Sequence, residues 1–326
     1  MKIGIMSVAH MHAHSYIHAI KQLPDLEVAG IYDDNTERGQ EAAAKHNVAY
    51  FSEPEAFLAQ DMQAVIVCSE NVKHKEMVLQ AAKAKKHILC EKPIATNLED
   101  AAEMITSCNE NEVILQIAFP VRFSTPIRQV KAAIERGEVG DVIAFRTTNR
   151  GQNPGGWFID NTLSGGGAVL DHTVHMVDIM RWFSGKEITA VHAHVDSFFH
   201  DIPTDDMGLL TLGFEEGIIA SHDASWSKFA AYPTWGDVTI EVIGTKKTIR
   251  ADALQTHLRH YQEGEKPLRH EFFGSDMDLD LIKDFSNTVK HGGAPSITGY
   301  DGLKALEVSL AAYESSKKRK TIRLGE

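Results

Sequence analysis

Residues 64–93, AVIVCSENVKHKEMVLQAAKAKKHILCEKP, decide the fold. The segment opens on an apolar run, 64–68, and passes through a helical stretch, 74–85, with Val78, Ala81 and Ala82 on one face. It closes on a second apolar run, 88–90. Short apolar runs without alternation read as strands buried on both faces. A strand, a helix and another strand in this order form a crossover unit whose strands pair in parallel. Pro93 stops the second strand and biases Lys92 toward an extended backbone, so the Lys92 ammonium falls just past the strand's carboxyl end. Open α/β sheets bind their ligands at that edge.

The same alternation extends on both sides. Residues 2–7 read as a strand, a helix follows Ala13, residues 27–33 form a second strand, a short third lies near Tyr50, and 113–118 complete the set. This predicts a doubly wound parallel sheet of the Rossmann kind. Near Pro120 the pattern changes. One more helix, 128–136, ends at Gly137, and strand-like runs then dominate: 142–148, 190–198, 207–214, 217–226 and 238–244. Residues 237–243 alternate in period two, as a half-buried antiparallel strand does. A last helix, 302–315, carries Leu303, Leu306, Leu310 and Tyr313 as its core stripe, with Asp301 as its expected N-cap. The expected architecture is α/β. A Rossmann-type, doubly wound domain (1–121) precedes an α/β domain with a large, mostly antiparallel sheet (122–326).

A second stretch carries chemistry: SGGGAVLDHTVHMVDIMRWF, residues 164–183. Asp171, His175 and Asp178 lie at i, i+4 and i+7 and so share one helix face. A carboxylate one turn from an imidazole suits an oriented general base. On its own the segment also reads as a core helix with polar edges.

Composition bounds the function. The chain has 326 residues, 43% hydrophobic and 24% charged, enough for two globular domains. Its net charge of −12 argues against nucleic acid as a partner. No apolar run approaches the ~20 residues needed to span a bilayer, and the start lacks a signal-peptide pattern, so a cytoplasmic protein is expected. The three cysteines, Cys68, Cys90 and Cys108, form no metal-ligand pair and read as reduced, buried thiols.

The Glu91-Lys92-Pro93 motif and the Asp171…His175 pair, with the Gly137-Glu138-Val139-Gly140 turn and the terminal helix, give the chain a family resemblance. It resembles the oxidoreductases named after glucose-fructose oxidoreductase, inositol 2-dehydrogenase and the rhizopine-catabolism protein MocA, nearly end to end. The resemblance implies an NAD(P)-dependent dehydrogenase acting on a secondary alcohol of a sugar or polyol. It also implies dinucleotide binding for the first domain, and substrate binding and oligomerisation for the second, as a homodimer or homotetramer that pairs through the second sheet.

The first turn departs from the dinucleotide fingerprint. Where Gly-x-Gly-x-x-Gly is usual, the chain reads Ser7-Val8-Ala9-His10-Met11-His12. A helix N-terminus still attracts a pyrophosphate, and Ser7 and His12 are expected to add donors. Asp33 is placed to accept the ribose hydroxyls of NAD and, with Asp34, to repel a 2′-phosphate, which favours NAD over NADP. Arg38 would favour NADP, but at a helix start it reads as a surface residue. By resemblance Cys68, Asn71, His74, Glu91 and Lys92 complete the cofactor side. Lys92, His175 and Asp171 are the expected catalytic residues. His175 would act as base, Lys92 as donor to the reacting oxygen that also lowers the His175 pKa, and Asp171 as orienter of substrate or His175. Arg122, Asn153, Trp157, His172 and Asp178 are the candidate substrate contacts, with Arg150 in the same loop region as Asn153.

Two other readings stay open. His10-x-His12 after a first strand also suits a metal-dependent hydrolase on a barrel, with Lys92, His172 or His175, and Asp301 as further ligands, although no resident metal is expected. A ligand-sensing relative that has lost its cofactor would explain the glycine-poor turn.

Overall fold

A computed structural model of the chain describes residues 1–232, 235–255, 257–261, 268–272 and 276–325. The first sheet contains β1 (Lys2–Met6), β2 (Glu27–Tyr32), β3 (Tyr50–Phe51), β4 (Ala64–Val67), β5 (His87–Glu91) and β6 (Leu115–Ala118). Their order is β3-β2-β1-β4-β5-β6, every pair parallel. The order reverses between β1 and β4, and the crevice at such a switch point is where α/β sheets hold ligands. Helices α1 (His12–Gln22), α2 (Thr36–His46), α3 (Pro54–Leu58), α4 (His74–Lys83) and α5 (Leu98–Glu110) connect the strands. The apolar runs 64–67 and 88–90 are completely buried, which is why they show no alternation.

After α6 (Thr125–Glu135) the second sheet begins with β7 (Val142–Arg150). Helices α7 (Asn161–Ser164) and α8 (Ala168–Ser184) follow, then β8 (Ile188–Asp196), β9 (Met207–Phe214), β10 (Ile219–Ser225), β11 (Asp237–Gly244) and β12 (Thr248–Asp252). A separate antiparallel pair, β13 (His257–Tyr261) and β14 (Leu268–Phe272), precedes α9 (Met277–His291), α10 (Gly299–Lys318) and β15 (Ile322–Arg323). The sheet runs β12-β11-β7-β10-β9-β8-β15, antiparallel except where β7 meets β10. Helices α8 and α10 pack on one face. The other leaves Ile143, Leu209 and Ile219 about half exposed, at 49%, 50% and 57%.

The terminal helix starts three residues earlier than its apolar stripe suggests. Thr298 is the cap, and Asp301 is its reciprocal partner in a capping box rather than the cap itself. Helix α8 is anchored differently. The carboxylate of Asp205 accepts the amides of Gly167 and Val169 at 2.8 Å each, and Tyr313 Oη accepts those of Gly167 and Leu170 while donating to Asp205. Side chains from two other segments thus satisfy the first amides of α8. Gly167 permits the approach, since a Cβ there would lie 1.9 Å from the Asp205 carbonyl oxygen.

Candidate active site

The first turn keeps the fingerprint's shape without its glycines. Ser7 adopts φ +69°, the left-handed backbone that glycine favours. Its amide donates to Tyr32 O at 2.6 Å. The amides beyond it are largely engaged: Val8 with Asp33 Oδ2 (2.7 Å), Ala9 with Ser7 Oγ (3.2 Å), His10 with Cys68 O (2.9 Å) and His12 with His10 Nδ1 (3.2 Å). Two expectations change here. Ser7 is fully buried and serves Asp33 instead of facing an anion, and the start of α1 is already capped by the His10 ring. Met11 is 48% exposed at this edge, and Cys68 is buried, contributing its carbonyl.

Asp33 ends β2 fully buried. Arg38 is not a free surface residue: its guanidinium grips Asp33 (Nη2 to Oδ1, 2.8 Å) and reaches Glu70 (3.0 Å) and Asp34 (3.1 Å). Lys73 holds Asp34 at 2.5 Å and Glu70 at 3.1 Å. The three carboxylates at the expected ribose position thus come as a cluster largely compensated by two cations, Arg38 and Lys73.

At the carboxyl end of β5, Glu91 is completely buried. It accepts from Tyr16 Oη at 2.5 Å, from the Lys92 amide at 3.1 Å, and pairs with His12 Nδ1 at 3.0 Å. Burial pushes its carboxyl up, yet the facing His10, His12 and Lys92 win and hold it well below the usual range. Burial disfavours a charge on His12, but Glu91 outweighs that and raises its pKa. Tyr16 was not foreseen as a partner, because it occupies an apolar-periodic position of α1 and reads as core. The next peptide, Lys92-Pro93, is cis. His74 secures it, with Nδ1 2.9 Å from Pro93 O and Nε2 3.3 Å from Ser69 O, so this buried ring braces the strand end and does not line the cavity. Asn71 likewise turns to the second domain, donating to Ser164 O at 2.8 Å.

Across the crevice, α8 delivers Asp171, His172 and His175. Lys92 Nζ makes an ion pair with Asp171 Oδ1, both groups nearly buried. Asp171 Oδ2 faces His172 Nε2 at 3.2 Å, and His172 Nδ1 lies 2.8 Å from Asn149 O. Asn149, itself unforeseen, donates back to His172 O at 3.1 Å. The expected orientation of His175 by Asp171 is not realised, because both oxygens of that carboxylate serve Lys92 and His172. His175 Nδ1 has no hydrogen-bond partner among the described residues, and the ring meets Phe119 edge-on at 5.7 Å. Burial first, then the Lys92 ammonium, pushes its pKa well below 6.5.

Lys92, Asp171, His172 and His175 line one cavity of about 360 Å³ with His10, His12 and Asn149. Five other substrate-side candidates lie outside that lining. Arg122 and Asp178 form a buried bidentate pair (2.6 Å for both bonds), and Arg122 Nη1 donates to Ser296 O, so neither is available to substrate hydroxyls. Asn153 Oδ1 closes a turn onto the Gly155 amide. Trp157 stacks on Phe158 at 3.9 Å and donates its indole N–H to Ala9 O at 3.1 Å, fastening the second domain to the first turn. Arg150 is taken up by Asp237.

The hydrolase reading fails on two counts. Two separate sheets replace a barrel of eight parallel strands. His10, His12 and Glu91 do bring ligand-type atoms within 4.8 Å of one another. However, His10 Nδ1 accepts the His12 amide, so its proton lies on Nε2 and neither nitrogen has a lone pair for a metal. Of the further proposed ligands, Lys92 and His172 are engaged with Asp171, and Asp301 is bound to Arg181 and to its own capping box.

The parallel sheet, its switch-point crevice and the retained first turn define a two-domain, dinucleotide-dependent dehydrogenase. Residues 1–119 match the family model described as an oxidoreductase family with an NAD-binding Rossmann fold, and residues 127–250 match the GFO/IDH/MocA C-terminal domain. The chain belongs to the Gfo/Idh/MocA oxidoreductase family. It is similar to myo-inositol 2-dehydrogenase of Thermotoga maritima, 32% identical over all of this chain and 99% of that protein. It is also 30% identical to 1,5-anhydro-D-fructose reductase of Ensifer adhaerens, over 89% of each. Among solved structures, a probable dehydrogenase from Thermotoga maritima superimposes with a TM-score of 0.86 at 30% identity, covering 99% of both chains. GenD2 from gentamicin A biosynthesis, in complex with NAD, does so at 0.90 and 21% identity, covering 100% of this chain and 97% of that one, a likeness of fold. No helix of the described residues is long and apolar enough to cross a membrane.

The buried histidines fix a pH dependence. Burial pushes His10 and His222 down from 6.5 to about 3, and it also lowers His74 and His175. Unfolded, each takes up a proton below pH 6.5 that the folded form refuses. The unfolded chain therefore binds more protons, and stability falls as pH drops from 6.5 toward 3. We expect chemical-denaturation free energies to decline between pH 6.5 and 5, above the carboxylate range, by up to about 1.4 kcal/mol per pH unit for each such group. Substituting His222→Gln should reduce that slope.

Proposed function

We propose that this protein is an NAD-dependent dehydrogenase of a secondary alcohol on a sugar or polyol. The observation that carries the reading is the Lys92–Asp171 pair beside a neutral His175 in one cavity at the carboxyl edge of the parallel sheet. When bound, the nicotinamide accepts the hydride from carbon. His175, neutral and without a side-chain partner, takes the proton from the alcohol oxygen. Lys92, held in place by Asp171, donates a hydrogen bond to that oxygen and stabilises the developing alkoxide. Asn149 holds His172, and His172 in turn positions Asp171. In reduction the same groups return proton and hydride. The printed activities of the relatives, on inositol and anhydrofructose, support the substrate class.

The left-handed backbone of Ser7 gives the first turn a shape that fits NAD, while Asp33 is buried and bonded to Arg38, so a ribose would have to displace that pair. The amides already engaged there favour a sensing protein without cofactor as the second reading. The complete proton-handling set speaks against it. The division near residue 121, a cytoplasmic location and a dimer or tetramer formed through the open sheet face belong to the same proposal. The half-exposed Ile143, Leu209 and Ile219 on that face support the last point.

His175→Ala and Lys92→Ala should each lower polyol-dependent NADH formation by roughly 10²–10⁴-fold. Both variants should still be stabilised by NADH in a thermal-shift assay. Turnover near that of the wild type in either variant contradicts the assignment, and no thermal response of the wild type to NAD or NADH supports the sensing reading. Light scattering should give a multiple of the 36.1 kDa chain mass, and Ile219→Lys should shift it toward the monomer.

A further inference from the structure

We infer that the physiological substrate carries an apolar, ring-sized group on its sugar, as an aryl glycoside does, and is not a bare cyclitol. The inference rests on the reading of the site as that of a sugar or polyol dehydrogenase.

The cavity lining combines two chemistries. Interleaved with the histidines, Lys92 and Asp171 are apolar side chains, among them Phe158, Trp235, Val238, Leu254 and Met277, with Met11, Pro120 and Val121. Apart from the indole N–H, none of these side chains can hydrogen-bond a hydroxyl. A cyclitol presents hydroxyls around its whole rim, and each one pressed against such side chains gives up its hydrogen bonds to water without a replacement. An apolar substituent gains there instead, in proportion to the area it removes from water.

Trp235 is the group best placed to receive it. The indole is 46% exposed, so the fold does not bury it. It stands beside the catalytic residues: a Cβ built on Gly151 would lie 2.9 Å from Trp235 Nε1 and 3.0 Å from His172 Cε1. His172 bonds Asp171, and Asp171 holds Lys92, so the indole borders the same cluster that meets the reacting alcohol. Phe229 and Tyr232, 70% and 39% exposed, precede it in the segment after β10. Exposed aromatics of this kind mark a recognition surface, and the flat indole suits an aromatic ring by offset stacking. The polar part of the lining favours a neutral ligand. Lys92 is paired with Asp171 and His12 with Glu91, which leaves no uncompensated cation among the described residues of the cavity for a phosphate or carboxylate.

The test is isothermal titration of the NADH-saturated protein with phenyl and methyl glycosides of the same sugar (glucosides and galactosides) and with myo-inositol. We expect the phenyl glycoside to bind at least about 10-fold more tightly than its methyl counterpart. Trp235→Ala should reduce that ratio to near one, and Trp235→Phe should preserve part of it. Leu254→Ala, in the same apolar lining, should also reduce it. Equal affinities for phenyl and methyl glycosides, or myo-inositol bound as tightly as the phenyl glycoside, overturn this inference alone. A Trp235→Ala protein that weakens both glycosides equally overturns it as well. If NADH binds and no glycoside or inositol does, the sugar–polyol reading fails and the inference fails with it.

Discussion

The ion pair between Lys92 and Asp171 is the contact on which the rest of the site depends. It joins the end of a parallel strand in one sheet to the first turn of the helix that backs the other. Taking both groups out of water is costly, and such a pair holds only when further hydrogen bonds complete it. The structure supplies them on one side through His172 and Asn149. On the other, Glu91, buried behind Lys92 and tied to Tyr16 and His12, fixes the strand end from which the lysine projects. Removing one member would leave a charge in the crevice between the two sheets.

That pairing also bears on the protonation of His175, the base of the proposed mechanism. His175 lies on the same helix one turn beyond Asp171 and receives no bond from it. Its neutrality comes from burial and from the nearby ammonium. In the proposed mechanism the lysine that donates to the reacting oxygen also adds to the effect of burial in keeping the neighbouring imidazole free of its proton. The remaining charged groups of the crevice are balanced locally, Glu91 by His12 and Asp33 by Arg38.

Much of this was legible in the sequence. The unalternating runs at 64–68 and 88–90 gave the parallel sheet, because strands buried on both faces need apolar side chains throughout. The i, i+4 spacing of Asp171 and His175, with Lys92 before a proline at a strand end, pointed to three residues that line one cavity. Legibility ended where long side chains choose among several partners. Helical spacing puts Asp178 two turns beyond Asp171 but does not reveal that Arg122, 56 residues earlier, claims it. Arg38 looked like a surface residue because its partners, Asp33 and Glu70, come from the ends of two other strands. His74 looked like a cofactor contact, and its ring instead braces the Pro93 peptide. Periodicity also cannot show that Ser7 takes on a glycine's backbone, or that the His10 ring caps the helix it precedes.

The central claim is that burial and the Lys92 ammonium together hold His175 neutral. It is tested most directly by ¹⁵N NMR titration of the histidine side chains between pH 5 and 8, with His175 assigned by its loss in His175→Gln. The account predicts a neutral His175 across that range in the wild-type protein and a marked rise of its titration midpoint in Lys92→Met, where Asp171 remains without its cation. A His175 that titrates near 6.5 in the wild type, or one unmoved by the loss of Lys92, would contradict it.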